Sequence, residues 1–114
     1  MITPYRDRPE PPYYAVIITS TPSGTDPEGY AAMGRRMGEL GAAQPGYLGR
    51  ESMYAPDGSD LTVIYYRDPE SIRAWQQHPE HLEAQRLGRD RWYARYRVEV
   101  ARVERTYDFT APPM

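Results

Sequence analysis

The chain has 114 residues, 14 Lys and Arg against 16 Asp and Glu, a formal net charge of −2, and no cysteine. That length makes one domain with a modest core. The missing cysteine removes disulfides, thiolate nucleophiles and Cys-based metal sites, and no basic stripe marks a nucleic-acid footprint. The longest aliphatic run, Ala15 to Ile18, is far too short to span a bilayer. The opening MITPYRDRPEPPYY has no apolar signal core, so a cytoplasmic protein with no membrane partner is expected. Eleven Tyr against one Phe point to a half-wet surface or cavity, where a ring with a polar tip is at home.

Pro4, Pro9, Pro11 and Pro12 among charges make residues 1–12 an expected flexible arm. Residues 13–109 read as the domain and 110–114 as a flexible tail. Tyr13 to Ser20 is a strand of β-branched and aromatic residues whose lack of alternation implies cover on both faces. Asp26-Pro27 is a helix start, with Asp as N-cap and Pro at the first helical position. That helix is expected to reach about Ala43, with Tyr30, Met33, Met37 and Leu40 inward. Gly34 and Gly41 on the same stripe suggest close approach to the sheet.

Gln44-Pro45-Gly46 ends the helix. Tyr47 to Tyr54 and Leu61 to Arg67 form a strand pair around the turn Ala55-Pro56-Asp57-Gly58. Asp68-Pro69 opens a short helix that turns Ile72 and Trp75 inward. His78-Pro79 breaks and restarts it, and the second helix is expected to run to about Trp92. On it His81, Gln85, Gly88 and Trp92 fall within about 40° of one line. The last strand, Tyr93 to Phe109, is apolar at Tyr96, Val98 and Val100, then at Ala101, Val103, Tyr107 and Phe109. That change of phase predicts a bulge or bend near Val100-Ala101.

The order β-α-β-β-α-α-β is an α+β, ferredoxin-like order, an antiparallel sheet with helices on one face. Strands apolar on both faces need a second cover, and a two-fold homodimer packing sheet on sheet supplies it.

Several residues have the chemistry of a site. His78 and His81 are spaced like a metal pair, but His78 is expected to cap its helix and no carboxylate cluster completes a ligand set, so no metal is expected. His81 is a candidate general base. Glu51, in mid-strand, needs a partner, and Arg67, Arg89 or His81 are candidates. Arg50 points to the other face. Arg67 and Arg89 are candidate cations for a developing negative charge. Tyr65, Tyr66, Trp75, Gln85, Trp92 and Tyr96, with Glu51, are candidate substrate-binding residues. Arg91, Arg95, Arg97, Arg102 and Arg105 read as the solvated or dimer-edge side of the last strand.

The stretch Pro45-Gly46-Tyr47-Leu48-Gly49-Arg50-Glu51-Ser52, then Tyr65-Tyr66-Arg67-Asp68, Trp75, His81, Ala84-Gln85, Gly88-Arg89, Trp92-Tyr93 and Tyr96 resembles the antibiotic biosynthesis monooxygenase (ABM) domain family. The resemblance runs from about Tyr13 to Phe109. It implies a dimeric α/β barrel with a pocket between sheet and helices in each subunit. Its haem-degrading members hold iron through a His ten residues after a helical Trp, with an Asn on the first strand. Here Gln85 follows Trp75 at that spacing and the first strand offers Thr19 or Ser20, so haem degradation is not expected. Its anthrone-oxidising members use an Asn on the third strand and a Trp shortly after, where this chain has Tyr65 and Asp68-Pro69. The resemblance implies a cofactor-independent monooxygenase that oxidises an electron-rich aromatic, polyketide-like or phenolic molecule with O₂, without a cofactor. The alternatives are a cofactor-free isomerase or cyclase on a similar substrate, and a small-molecule binding protein without catalysis.

Overall fold

The computed structural model describes residues 8–113. Residues 1–7 of the expected arm and Met114 of the expected tail lie outside the described residues. The elements follow as β1 (Tyr13–Pro22), α1 (Pro27–Ala42), β2 (Tyr47–Tyr54), β3 (Asp60–Tyr66), α2 (Pro69–Gln76), α3 (Pro79–Leu87), one π-helical turn (Gly88–Trp92) and β4 (Tyr93–Val103). The sheet is antiparallel in the order β2-β3-β1-β4, with the helices on one face, so the fold is ferredoxin-like α+β.

Each helix begins as its sequence dictates. The side chains of Asp26, Asp68 and His78 accept the backbone N–H of Gly29, Ser71 and Glu80, and a proline follows each cap. Asp26 does this from a left-handed conformation at φ 48°. The break at Gln77-His78 separates α2 from α3. The helix does not continue to Trp92. It ends at Leu87 and passes into the π turn, whose wider winding shifts Trp92 relative to a regular helix.

The core lies between the helices and the inward face of the sheet. Val16, Tyr66 and Trp75 are buried together, with Ile18, Met37, Leu40, Tyr47, Ile64 and Ile72 packed around them. Gly41 lets α1 approach: a Cβ there would stand 3.4 Å from the Trp75 ring. Gly34, expected to serve the same purpose, faces nothing within 4 Å of such an atom. Gly46 is required by its turn. Its φ is +83°, Arg67 N–H donates to its carbonyl at 2.8 Å, and a Cβ would fall 2.0 Å from Ser71 Oγ.

β4 pairs with β1 without a break through Val100 and Ala101, opposite Val16 and Ala15. The expected bulge there is absent, and the register shift falls instead at Thr21/Pro22. The apolar pattern changes because the strand's task changes. Tyr96, Val98 and Val100 share the helix-side face with Ser20, Ile18 and Val16, whereas Ala101 and Val103 share the opposite face with Ala15 and Tyr13. Tyr107 and Phe109 lie beyond the strand and are exposed. No helix among the described residues is long and apolar enough to cross a membrane.

Candidate functional site

Between α1, α3, the π turn and the inner face of the sheet lies a cavity of about 830 Å³, within the range of small-molecule sites. β3 presents Asp60, Thr62, Ile64 and Tyr66 to it, β1 presents Ile18 and Ser20, and β2 presents Arg50, Ser52 and Tyr54. α1 adds Tyr30, Met33 and Met37, and the far wall holds Trp75, His81, Gln85, Trp92 and Tyr93.

His81 is the most constrained polar group here. Its ring lies flat on Trp75, centroids 4.2 Å apart and planes 13° apart. Its Nδ1 is 2.9 Å from the Trp75 carbonyl oxygen. A carbonyl oxygen only accepts, so the proton sits on Nδ1 and Nε2 carries the free lone pair. Burial lowers the imidazole pKa, with the Trp75 carbonyl pulling the other way and His78 adding to the lowering. The ring is therefore a neutral base at neutral pH. His78 spends its Nδ1 on the Glu80 N–H, which is its capping bond. Among the described residues no group of His, Asp and Glu is arranged to hold a metal.

Gln85 lines the cavity while its amide donates to the Gln76 carbonyl at 2.9 Å, tying α3 to the end of α2. Trp92 is fixed from two sides, Nε1 donating to Asp26 Oδ2 at 3.3 Å and its carbonyl accepting from Ser23 N–H at 2.8 Å. The turn beneath it needs Gly88, since a Cβ there would press to 2.9 Å from the Tyr93 ring. Tyr66 is fully buried, edge-on to Tyr47, and its phenol is pushed up to about 12, first by burial.

Other expected site residues lie elsewhere. Glu51 touches the cavity wall, but in register it stands opposite Val63, beside Tyr65, on the sheet face turned away from the helices. Its carboxylate accepts the Tyr65 hydroxyl at 2.7 Å and pairs with Arg8, whose guanidinium lies 4.3 Å over the Tyr65 ring. Neither Arg67, Arg89 nor His81 is its partner, because strand alternation sets His81 across the sheet from it. The Tyr65 phenol is raised to about 12 by burial, then by Glu51. Tyr96 packs on Tyr93 at 5.5 Å and borders a second hollow of about 620 Å³ near Thr19, Met53 and Leu61. Arg67 and Arg89 are exposed and do not line the cavity.

Two arginines border the cavity, Arg35 exposed at the surface of α1 and Arg50, half-buried, on the inner face of β2. Arg50 is the one set against the sheet. It lies near α1, 3.7 Å from where a Gly38 Cβ would be, and makes no ion pair among the described residues. Sequence alternation held the signal for it: if Glu51 faces outward, Arg50 faces in. Asp60, Tyr30 and Tyr93 are among the polar lining residues not singled out from the sequence. Asp60 and Tyr93 stand at the ends of strands, where facing is hardest to read.

The chain belongs to the family described as antibiotic biosynthesis monooxygenase, whose model matches residues 12–87. It is 47% identical over 97 residues to YqjZ, an uncharacterised protein of Bacillus subtilis, covering 85% of this chain and 84% of that one. Among solved structures it is similar to SnoaB, a cofactor-independent oxygenase from Streptomyces nogalater, at 18% identity and a TM-score of 0.65, over 90% of this chain and 100% of that one. It is also similar to a protein of Shewanella oneidensis at 9% identity and a TM-score of 0.72, over 88% of this chain and 100% of that one. At such identities these two structures speak for the fold.

Proposed function

We propose that this protein is a cofactor-independent monooxygenase acting on an electron-rich aromatic molecule, with His81 as its base. The observation that carries the reading is the state of His81: neutral, tautomerically fixed by the Trp75 carbonyl, and stacked on an indole in the wall of a ligand-sized cavity. Family membership supplies the reaction class.

In the reaction, Nε2 takes a proton from an acidic CH₂ carbon of an anthrone-like substrate. Arg50 stabilises the resulting enolate, a part for which Arg67 and Arg89 stand too far out in solvent. The carbanion gives its electrons to O₂ and forms a C–O bond. The peroxide then loses water as its O–O bond breaks, taking the second hydrogen of the carbon. One CH₂ and one O₂ become one C=O and one H₂O. Trp75, Tyr66 and Trp92 bind the rings and keep water from the carbanion. The face of the sheet opposite the helices carries Ile17, Leu61 and Val63, with Met53 at the edge, and Leu61 and Met53 are exposed. This supports a homodimer covering that face.

The test is oxygen uptake with anthrone by the wild type and by His81→Gln, with circular dichroism to establish that the variant folds. Uptake that falls by roughly 10²–10⁴-fold in the variant supports the reading. Full activity in the variant removes His81 from the chemistry, and conversion that proceeds equally without O₂ makes the protein an isomerase or cyclase.

A further inference from the structure

We propose that Asp60 is a substrate-positioning carboxylate, and that the ligand it selects is a multi-ring aromatic carrying a hydroxyl at the end remote from the reacting carbon. This rests on the reading that the cavity takes an aromatic substrate.

Asp60 begins β3, where its register partners are Ser20 and Tyr54, and its side chain shares the cavity face with them. Tyr66, six residues along the same strand, packs with Trp75, on which His81 stacks. Six strand steps cover about 20 Å, so carboxylate and imidazole belong to opposite ends of the cavity. The surroundings of Asp60 orient it without neutralising it. Ser52 and Thr62 hydroxyls are 2.8 Å apart, and Thr62 Oγ1 lies 3.2 Å from Asp60 Oδ1. Thr62 must donate to the carboxylate and can then accept from Ser52, which makes a directed chain ending on Asp60. Thr62 itself is buried. Burial pushes the Asp60 carboxyl above its ordinary value, while the Thr62 hydroxyl, Arg50 at a distance and the Ser20 hydroxyl pull the other way, and it forms no ion pair among the described residues.

A half-buried carboxylate with hydroxyl neighbours and no cation retains acceptor capacity, and in a cavity the group that fills it is a donor on the ligand. The walls beside it suit an aromatic carrier of that donor. Tyr30 and Tyr93 meet edge to face at 5.5 Å, and burial keeps both as neutral phenols. A flat ring can lie against them with its hydroxyl toward Asp60. An ammonium would satisfy the carboxylate equally, but the two phenols and Trp92, whose ring lies 6.3 Å from that of Tyr30, favour a neutral, planar ligand.

The experiment is equilibrium binding, with no turnover, so its failure is separate from a failure of the oxidation chemistry. The probes are 9,10-anthraquinone and 2,6-dihydroxyanthraquinone at about pH 6, where phenols keep their protons. Binding to wild type, Asp60→Asn and Asp60→Ala is followed by quenching of tryptophan fluorescence, with thermal melting of each. Wild type is expected to bind the dihydroxy probe more tightly, and Asp60→Ala to lose about 10- to 100-fold for that probe alone. Asp60→Asn, which keeps an acceptor but no charge, should fall between. Equal losses for both probes would make Asp60 structural and overturn the proposal. So would a wild type that does not distinguish the probes. If Asp60→Ala unfolds, Asp60→Asn carries the test alone: a change confined to the dihydroxy probe supports the proposal, and equal affinities for both refute it.

Discussion

Replacing Trp75 by Ala tests the link between core and site. The indole is 6% exposed, packs with Val16 and Tyr66, and supports His81 on its face at 4.2 Å. Removing a buried Trp side chain costs about 3–5 kcal/mol. A domain of this length has roughly 6–17 kcal/mol in all, at 0.05–0.15 kcal/mol per residue. The variant should therefore lose a large share of its stability and melt at least about 12 °C lower, at roughly 4 °C per kcal/mol. Trp75→Phe keeps an aromatic plane under His81 and should cost only about 1–2 kcal/mol. Urea unfolding followed by circular dichroism, with unchanged slope, gives both numbers. A Trp75→Ala loss below about 1 kcal/mol would refute the packing argument, since the cluster would then not depend on the indole.

The lowered pKa of His81 fixes the sign of a pH effect. The native ring resists protonation relative to an unfolded imidazole near 6.5. The stability it contributes is thus whole above about pH 6.5 and drains as pH falls from there through the native pKa. The melting difference between wild type and His81→Phe should shift in that window and be flat above it. In Glu51→Gln, Tyr65 should titrate below its value of about 12 yet above an ordinary phenol, because burial, the larger cause, remains. NMR of ring-labelled tyrosine reads this directly. Gly46→Ala should destabilise by at least about 1–2 kcal/mol from its positive φ alone, and Ser71→Ala should not restore it, since Ser71 Cβ is itself 2.6 Å from the new methyl.

Most of the fold was legible because its punctuation is local. Three caps each followed by proline, and the Pro-Gly turns, act within a few residues of chain and need no knowledge of the partner surface. The phase change in β4 was also real, but its cause was tertiary: the strand contributes one face to the helix side and later the other to the open side. Sequence periodicity cannot separate that from a bulge. The π turn escaped notice for a similar reason. Its need for Gly88 arises from the Tyr93 ring, a contact known only in three dimensions.

The site was half legible. His81 and Gln85 share one face of α3, and a 3.6-residue period reveals that face, whereas Trp75 joins them from α2 and Trp92 from the π turn. Arg67 and Arg89 have the charge type of a site cation, yet Arg67, just past the end of β3, and Arg89, within the π turn, are exposed. Arg50 took a strand position whose alternation with Glu51 decided its face, and the partner of Glu51 came from Arg8, 43 residues away in sequence. An ion pair between a distant arm and a strand leaves no spacing signal.

If His81 is the base, its reactive nitrogen is Nε2, because Nδ1 is spent on the Trp75 carbonyl. The most direct measurement is the pH profile of oxygen uptake with anthrone, wild type against His81→Gln. Wild-type kcat/KM is expected to rise to a plateau with a midpoint below the ordinary imidazole value of about 6.5, and the variant to lose both the rate and that limb. A variant that retains the rate and the same midpoint would contradict that role for His81.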